Sequence, residues 1–247
     1  MSPARRETDP RRRLILALDL PSADGALRLA DQLRPELTWV KVGLQLFGAA
    51  GPDVVRKLVS LGLNLFVDLK LHDIPSTMAR AGESLTALGT GMFTTHAAAG
   101  SEALRQTTEA VAAAPAGPQG RQPMVLAVTV LTSFSAEGYS SVVGRACLPS
   151  DEVPRLGRLA IEAGVDGLVA SPMEVRTLRE ELGDEPVLVI PGIRPAGSSA
   201  DDQTRIATPA SALRDGADYL VVGRPIAQAD HPREALLRIL DEMAAAI

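Results

Sequence analysis

The sequence has little of what thiol, metal or nucleic-acid chemistry needs. Cys147 is the only cysteine, which excludes an intrachain disulfide and any multi-cysteine metal cluster and makes a reducing cytoplasm the expected setting. The three histidines, His72, His96 and His231, are scattered and offer no ligand spacing. Positive charge is not in excess: 25 Lys and Arg stand against 30 Asp and Glu, a formal net charge of -5. No global basic field results, so nucleic acid is not the expected partner. No run reaches the roughly 20 apolar residues of a membrane span. The opening MSPARRETDPRRR has charges but no apolar core of signal-peptide length behind them. Residues 1–13 are therefore expected to be a flexible, solvated tail, and residues 14–247 a single domain without membrane association.

What the chain does have is a recurring pattern. Of its 247 residues 46% are hydrophobic, enough for a sizeable core. Eight short runs rich in Leu, Val and Ile follow one another: LILALDL from Leu14, WVKVGL from Trp39, LNLFVDLKL from Leu63, MFTTHA from Met92, MVLAVTVL from Met124, DGLVAS from Asp166, PVLVI from Pro186 and DYLVVG from Asp218. Segments with helical spacing, such as ADGALRLADQLRP and VRTLREELG, lie between them. Eight strand-helix units in this length predict an α/β fold of the (β/α)8 TIM-barrel type, because a doubly wound sheet usually has fewer strands. Active sites of such barrels sit at the carboxyl ends of the strands. Polar residues gather there: Asp19, Lys41, Asp68 and Lys70, Thr95 and His96, Thr132 and Ser133, Arg194, and Arg224.

The stretch FVDLKLHDIP, Phe66 to Pro75, carries the sharpest signal. Alternation along a strand puts Asp68 and Lys70 on one face and Val67, Leu69 and Leu71 on the other. Opposite charges about 4 Å apart attract by about 4 kcal/mol at an effective dielectric near 20, which keeps both ionised. Lys41 and Asp73 extend the pair into an alternating array. A self-satisfying buried ion pair is the plainer reading of an isolated Asp-x-Lys. At the rim of a barrel, with two further charges from other elements, the array reads as a catalytic site. His72 is read as a packing histidine.

The motifs LALD, VKVG, DLKLHDIP with Thr77, LTS, PGIRP, DDQTR with TP, and VVGRPI occur in that order from Leu14 to about Ile226. Together they closely resemble the bacterial orotidine 5′-monophosphate decarboxylases. One departure is Ser76, where many relatives have Asn; both are small and polar. The resemblance implies removal of the C6 carboxylate of orotidine 5′-monophosphate to give uridine 5′-monophosphate in pyrimidine biosynthesis, without metal or cofactor. It implies catalytic roles for Lys70, the proton donor, and for Asp68, Asp73 and Lys41. It also implies a homodimer in which Asp73 and Thr77 reach a neighbouring subunit's site. Asp19 and Lys41 match ribose-binding positions, Ile74 belongs to the substrate-contacting turn, and Thr132 matches a contact near the pyrimidine. Arg194, Gln203, Gly223 and Arg224 match the phosphate side.

Gly223 and Arg224 after the eighth strand, taken alone, read equally well as a surface or structural arginine; the barrel topology favours phosphate binding, since a guanidinium fork and backbone N–H groups suit that anion. Residues 195–209 read as a lid over the phosphate, and the stretch SFSAEGYSSVVGRACLPSDEVP after the fifth strand as a cover for the base. Two other readings fit part of the pattern. One is a related metal-dependent barrel acting on a sugar phosphate as decarboxylase or synthase; the HDIPST and DDQTR segments speak against it. The other is a nucleotide-binding barrel without catalysis, which the presence of Lys70 and both aspartates disfavours.

Overall fold

The computed structural model describes residues 7–195 and 207–247. Eight parallel strands close into one barrel in sequence order: β1 (Leu14–Ala17), β2 (Trp39–Gly43), β3 (Asn64–Leu71), β4 (Met92–His96), β5 (Met124–Val128), β6 (Gly167–Val169), β7 (Val187–Ile190) and β8 (Tyr219–Val222). The expected (β/α)8 architecture is the observed one. Among the described residues no helix is long and apolar enough to cross a membrane.

Two apolar layers result from the alternation of side chains along each strand. Ile15, Trp39, Phe66, Met92, Leu126 and Val189 point inward and fill the barrel. Leu14, Leu16, Val40, Val67, Phe93 and Leu168 point outward and pack beneath the helices. The helices meet them with one apolar stripe each: Val54, Val55 and Leu58 on Pro52–Ser60, and Ala235, Leu236, Ile239 and Met243 on Pro232–Ala244. Ser22 caps the helix Ala23–Leu33 by accepting from the Gly25 N–H. On the first four strands this inner layer gives way to polar residues. Above it the inward positions become Asp19, Lys41, Asp68 and Thr94, which lifts the polar residues to the carboxyl end.

The expectation of a solvated tail through residue 13 needs correction at its end. Pro10–Arg12 form one turn of 3-10 helix, begun by proline and capped by the Asp9 carboxylate, which accepts from the Arg11 N–H. Arg13 is buried, and its guanidinium donates to the carbonyls of Asp218 at 2.9 Å and Ala217 at 2.6 Å. Unpaired strand-edge carbonyls at the amino end of β8 are costly to bury, and this arginine satisfies two of them. Residues 1–6 lie outside the described residues.

At Gly167 strand packing leaves no room for a side chain, since a Cβ there would stand 2.1 Å from the Val187 carbonyl oxygen. That atom belongs to the neighbouring strand's backbone and cannot swing aside. Gly167→Ala is expected to lower stability by about 1–3 kcal/mol through overpacking, seen as an earlier urea midpoint with an unchanged slope.

Candidate functional site

A cavity of about 520 Å³ opens at the carboxyl ends of the strands, lined among others by Asp19, Lys41, Asp68, Lys70, Thr132, Arg194, Gly223 and Arg224. Four cations thus face two carboxylates, a balance suited to a ligand with more than one negative charge.

Asp68 stands at the centre of the charged end. Its Oδ1 accepts from Lys70 Nζ at 2.8 Å and from the Thr94 hydroxyl at 2.9 Å. Its Oδ2 lies 3.5 Å from Lys41 Nζ, which also donates to Asp19 Oδ1 at 3.0 Å. The order Asp19, Lys41, Asp68, Lys70 is therefore an alternating chain of charges from β2, β3 and the segment just after β1. Burial alone would push the Asp68 carboxyl up. The ammonium groups of Lys41 and Lys70, with hydrogen bonds from Lys70 and Thr94, together outweigh it and hold the group below the usual carboxylate range. Gly43 makes room for the chain: a Cβ there would lie 2.8 Å from Lys41 Nζ and 3.0 Å from Asp19 Oδ1.

Simple alternation does not describe β3 through this region. Val67 pairs with Phe93, but the next register partner is Leu71 with Thr95, so the strand bulges between. Within the bulge Lys70 has φ +53°, the only non-glycine residue with positive φ among those described. A left-handed conformation costs an L-residue about 1–2 kcal/mol, and such strain persists only where surrounding contacts impose it. Here the Lys70 N–H, withdrawn from the ladder, donates to Thr94 Oγ1 at 2.8 Å. The side chain returns to the face of Asp68, as the sequence suggests, but by a strained path that alternation does not reveal.

The other expected residues divide. Thr132, Arg194, Gly223 and Arg224 line the cavity, with Arg194 buried. The helix after Gly223 is only Arg224–Ala227, so charge at this end comes from arginine side chains more than from a macrodipole. Asp73, Ile74 and Thr77 do not line this chain's cavity. Asp73 Oδ1 accepts from the Ile74 N–H at 2.7 Å, and Ile74 is 64% exposed. Gln203 and most of the expected phosphate lid, residues 196–206, lie outside the described residues. After the fifth strand, Val130, Leu131 and Thr132 line the cavity, while Ala136–Val143 form a helix.

Of the polar pair at the end of β4, Thr95 is turned the wrong way. It is buried outside the barrel wall and donates to the Leu126 carbonyl at 3.0 Å. Thr94, one residue earlier, carries the inward hydroxyl. Once the barrel places Met92 inward, parity puts Thr94 and His96 on the same face. His96 stacks on His72 with centroids 5.4 Å apart and accepts from the Ala98 N–H through Nδ1. Burial, with His72 and Lys70 nearby, holds its imidazole below its usual range. Gln45 and Gln228 also line the cavity; lone glutamines in helical segments carry no pattern by which to single them out.

Comparison with known proteins agrees with this geometry. The profile of the Orotidine 5'-phosphate decarboxylase / HUMPS family matches residues 12–239. Orotidine 5'-phosphate decarboxylase of Gluconobacter oxydans is 50% identical over 237 residues, covering 96% of this chain and 99% of that protein. The Moorella thermoacetica protein of the same name is 46% identical over 231 residues, covering 94% and 92%. The crystal structure of orotidine 5'-phosphate decarboxylase from Lactobacillus acidophilus superposes with a TM-score of 0.83 at 36% identity, covering 93% of this chain and 98% of that one. A match that spans the barrel and contains every element of the charged chain shows that this protein belongs to the Orotidine 5'-phosphate decarboxylase / HUMPS family.

Proposed function

We propose that the protein decarboxylates orotidine 5′-monophosphate to uridine 5′-monophosphate and carbon dioxide in pyrimidine biosynthesis, without metal or organic cofactor, in the cytoplasm. The observation that carries the mechanism is Lys70 Nζ held 2.8 Å from a partly buried, ionised Asp68 in the cavity. The C6–carboxylate bond breaks, carbon dioxide leaves, and the electron pair stays on C6. The Lys70 ammonium stabilises that pair by its charge and then protonates C6, after which solvent restores its own proton. Asp68 faces the substrate carboxylate, and their repulsion vanishes when neutral carbon dioxide departs. A fixed cation acting where charge develops is the larger contribution.

Lys41 and Asp19 suit the ribose hydroxyls, which accept from an ammonium and donate to a carboxylate. Thr132 suits the pyrimidine, and Arg194, Gly223 and Arg224 the phosphate, with Gln203 assigned to the same end. The sugar-phosphate alternative works with a divalent metal, whereas the Asp68 oxygens here meet Lys41, Lys70 and Thr94. Asp73, Ile74 and Thr77 are assigned to a neighbouring subunit's site in a homodimer. Their absence from this chain's cavity and the exposure of Ile74 and Leu44, 64% each, support that reading.

With chelator present, loss of pyrimidine ultraviolet absorbance is expected on mixing the protein with orotidine 5′-monophosphate. Lys70→Ala is expected to lower kcat by about 10³-fold or more with only a modest loss of product affinity. Near-normal turnover in that variant would sink the assignment, and silence from the parent as well would direct attention to sugar phosphates with divalent metals.

Asp68 also makes folding depend on pH. Its pKa is lower folded than unfolded, where a carboxyl titrates near about 3.9. The stabilisation is therefore present above about pH 4 and is lost as pH falls through the lowered native value. Urea unfolding is expected to give the widest gap between parent and Asp68→Asn at pH 7, narrowing below about pH 4. A gap that widened on acidification would contradict the lowered pKa.

The shared site has its own test. In a mixed dimer of Lys70→Ala and Asp73→Ala chains, one of the two sites is intact. Random pairing at equal amounts is expected to restore about a quarter of parental activity, whereas no recovery on mixing would place Asp73 outside a shared site.

A further inference from the structure

Thr94 is fully buried and does not line the cavity, yet its hydroxyl touches both members of the central pair. The Lys70 N–H can only donate, so Thr94 Oγ1 accepts there, at 2.8 Å. The Asp68 carboxylate can only accept, so the one hydroxyl proton goes to Oδ1, at 2.9 Å. Lys70 Nζ closes the ring on the same Oδ1 at 2.8 Å. One hydroxyl thus fixes the backbone of the single left-handed non-glycine residue among those described and the carboxylate that its side chain meets.

We propose that Thr94 is a positioning residue for the decarboxylation. By tying the main chain of Lys70 to the carboxylate of Asp68, it fixes the ammonium relative to C6 before substrate arrives. This rests on the reaction proposed above, in which Lys70 is the proton donor. Without the hydroxyl, the Lys70 N–H has no partner in the bulge and the carboxylate loses one of its donors. The lysine backbone can then relax out of the left-handed region, carrying the ammonium with it. A displacement of about 1 Å at a reacting group can cost about 10²-fold in rate. The ribose and phosphate contacts come from other strands, so affinity is expected to survive.

The test compares Thr94→Val, which keeps the shape and removes the hydroxyl, with Thr94→Ser, which keeps the hydroxyl and removes the methyl. Steady-state rates with orotidine 5′-monophosphate and calorimetric binding of uridine 5′-monophosphate are measured for parent and both variants. Thr94→Val is expected to lose about 10²-fold in kcat, with KM and product affinity within about threefold, while Thr94→Ser retains most of kcat. A Val variant with parental kcat overturns the proposal. So does a Ser variant as impaired as Val, because the methyl and not the hydroxyl would then matter. Should Thr94→Val not fold, Thr94→Ser alone decides: kcat near the parent's supports the hydroxyl, and a 10²-fold loss rejects it. An inactive parent would refute the reaction itself, a result distinct from either variant's failure.

Discussion

A largely desolvated carboxylate between two ammonium groups is the constraint around which the upper half of this barrel is arranged. Removing Asp68 from water opposes its ionisation, and the Coulombic attraction of Lys41 and Lys70 compensates only while both stay within a few ångströms. That requirement reaches into the neighbouring strands. Gly43 must lack a side chain where Lys41 passes, Asp19 must meet the far side of the same ammonium, and β4 must supply a hydroxyl at the height of Asp68. Three strands are thereby committed to one electrostatic arrangement, above an apolar inner layer that any barrel of this size could carry.

The arrangement is costly for stability and useful for chemistry for the same reason. Lys70 occupies a left-handed conformation, and two cations are held close together near the cavity floor. A protein selected for stability alone would be better served by apolar packing at these positions. Held in place, however, the charges need no reorganisation when negative charge develops on a substrate carbon, and this preorganisation is where the catalytic advantage of fixed charges arises. In the proposed reaction the distant arginines Arg194 and Arg224, which line the same cavity, serve the same end: binding energy from the phosphate holds the pyrimidine against the charged chain.

The family to which the chain belongs includes barrels of more than one chemistry, so the fold itself does not choose among them. The distinction lies in what surrounds the central aspartate. Here each of its oxygens faces a cation or hydroxyl of the protein itself, an environment suited to stabilising a carbanion by charge.

Much of this was legible in the residues. The eight apolar runs, their alternation and the spacing of helical segments are local patterns, so they determined the number and order of strands and the end at which polar side chains collect. The pairing of Asp68 with Lys70 and the placement of Thr132, Arg194, Gly223 and Arg224 in one cavity also follow from motif and strand order. The burial of Arg13 against the end of β8 does not, because it depends on carbonyls of residues 217 and 218, far along the chain. Nor does the choice of Thr94 over Thr95: adjacent threonines look alike until the register of β4 against β3 and β5 decides which one faces inward. The bulge that turns Lys70 left-handed likewise exists only between paired strands. Sequence alone determined which charges the site contains, since residue type and local periodicity carry that information. Tertiary structure decided how they are held, because register, bulge and close approach are set by packing between segments distant in the chain.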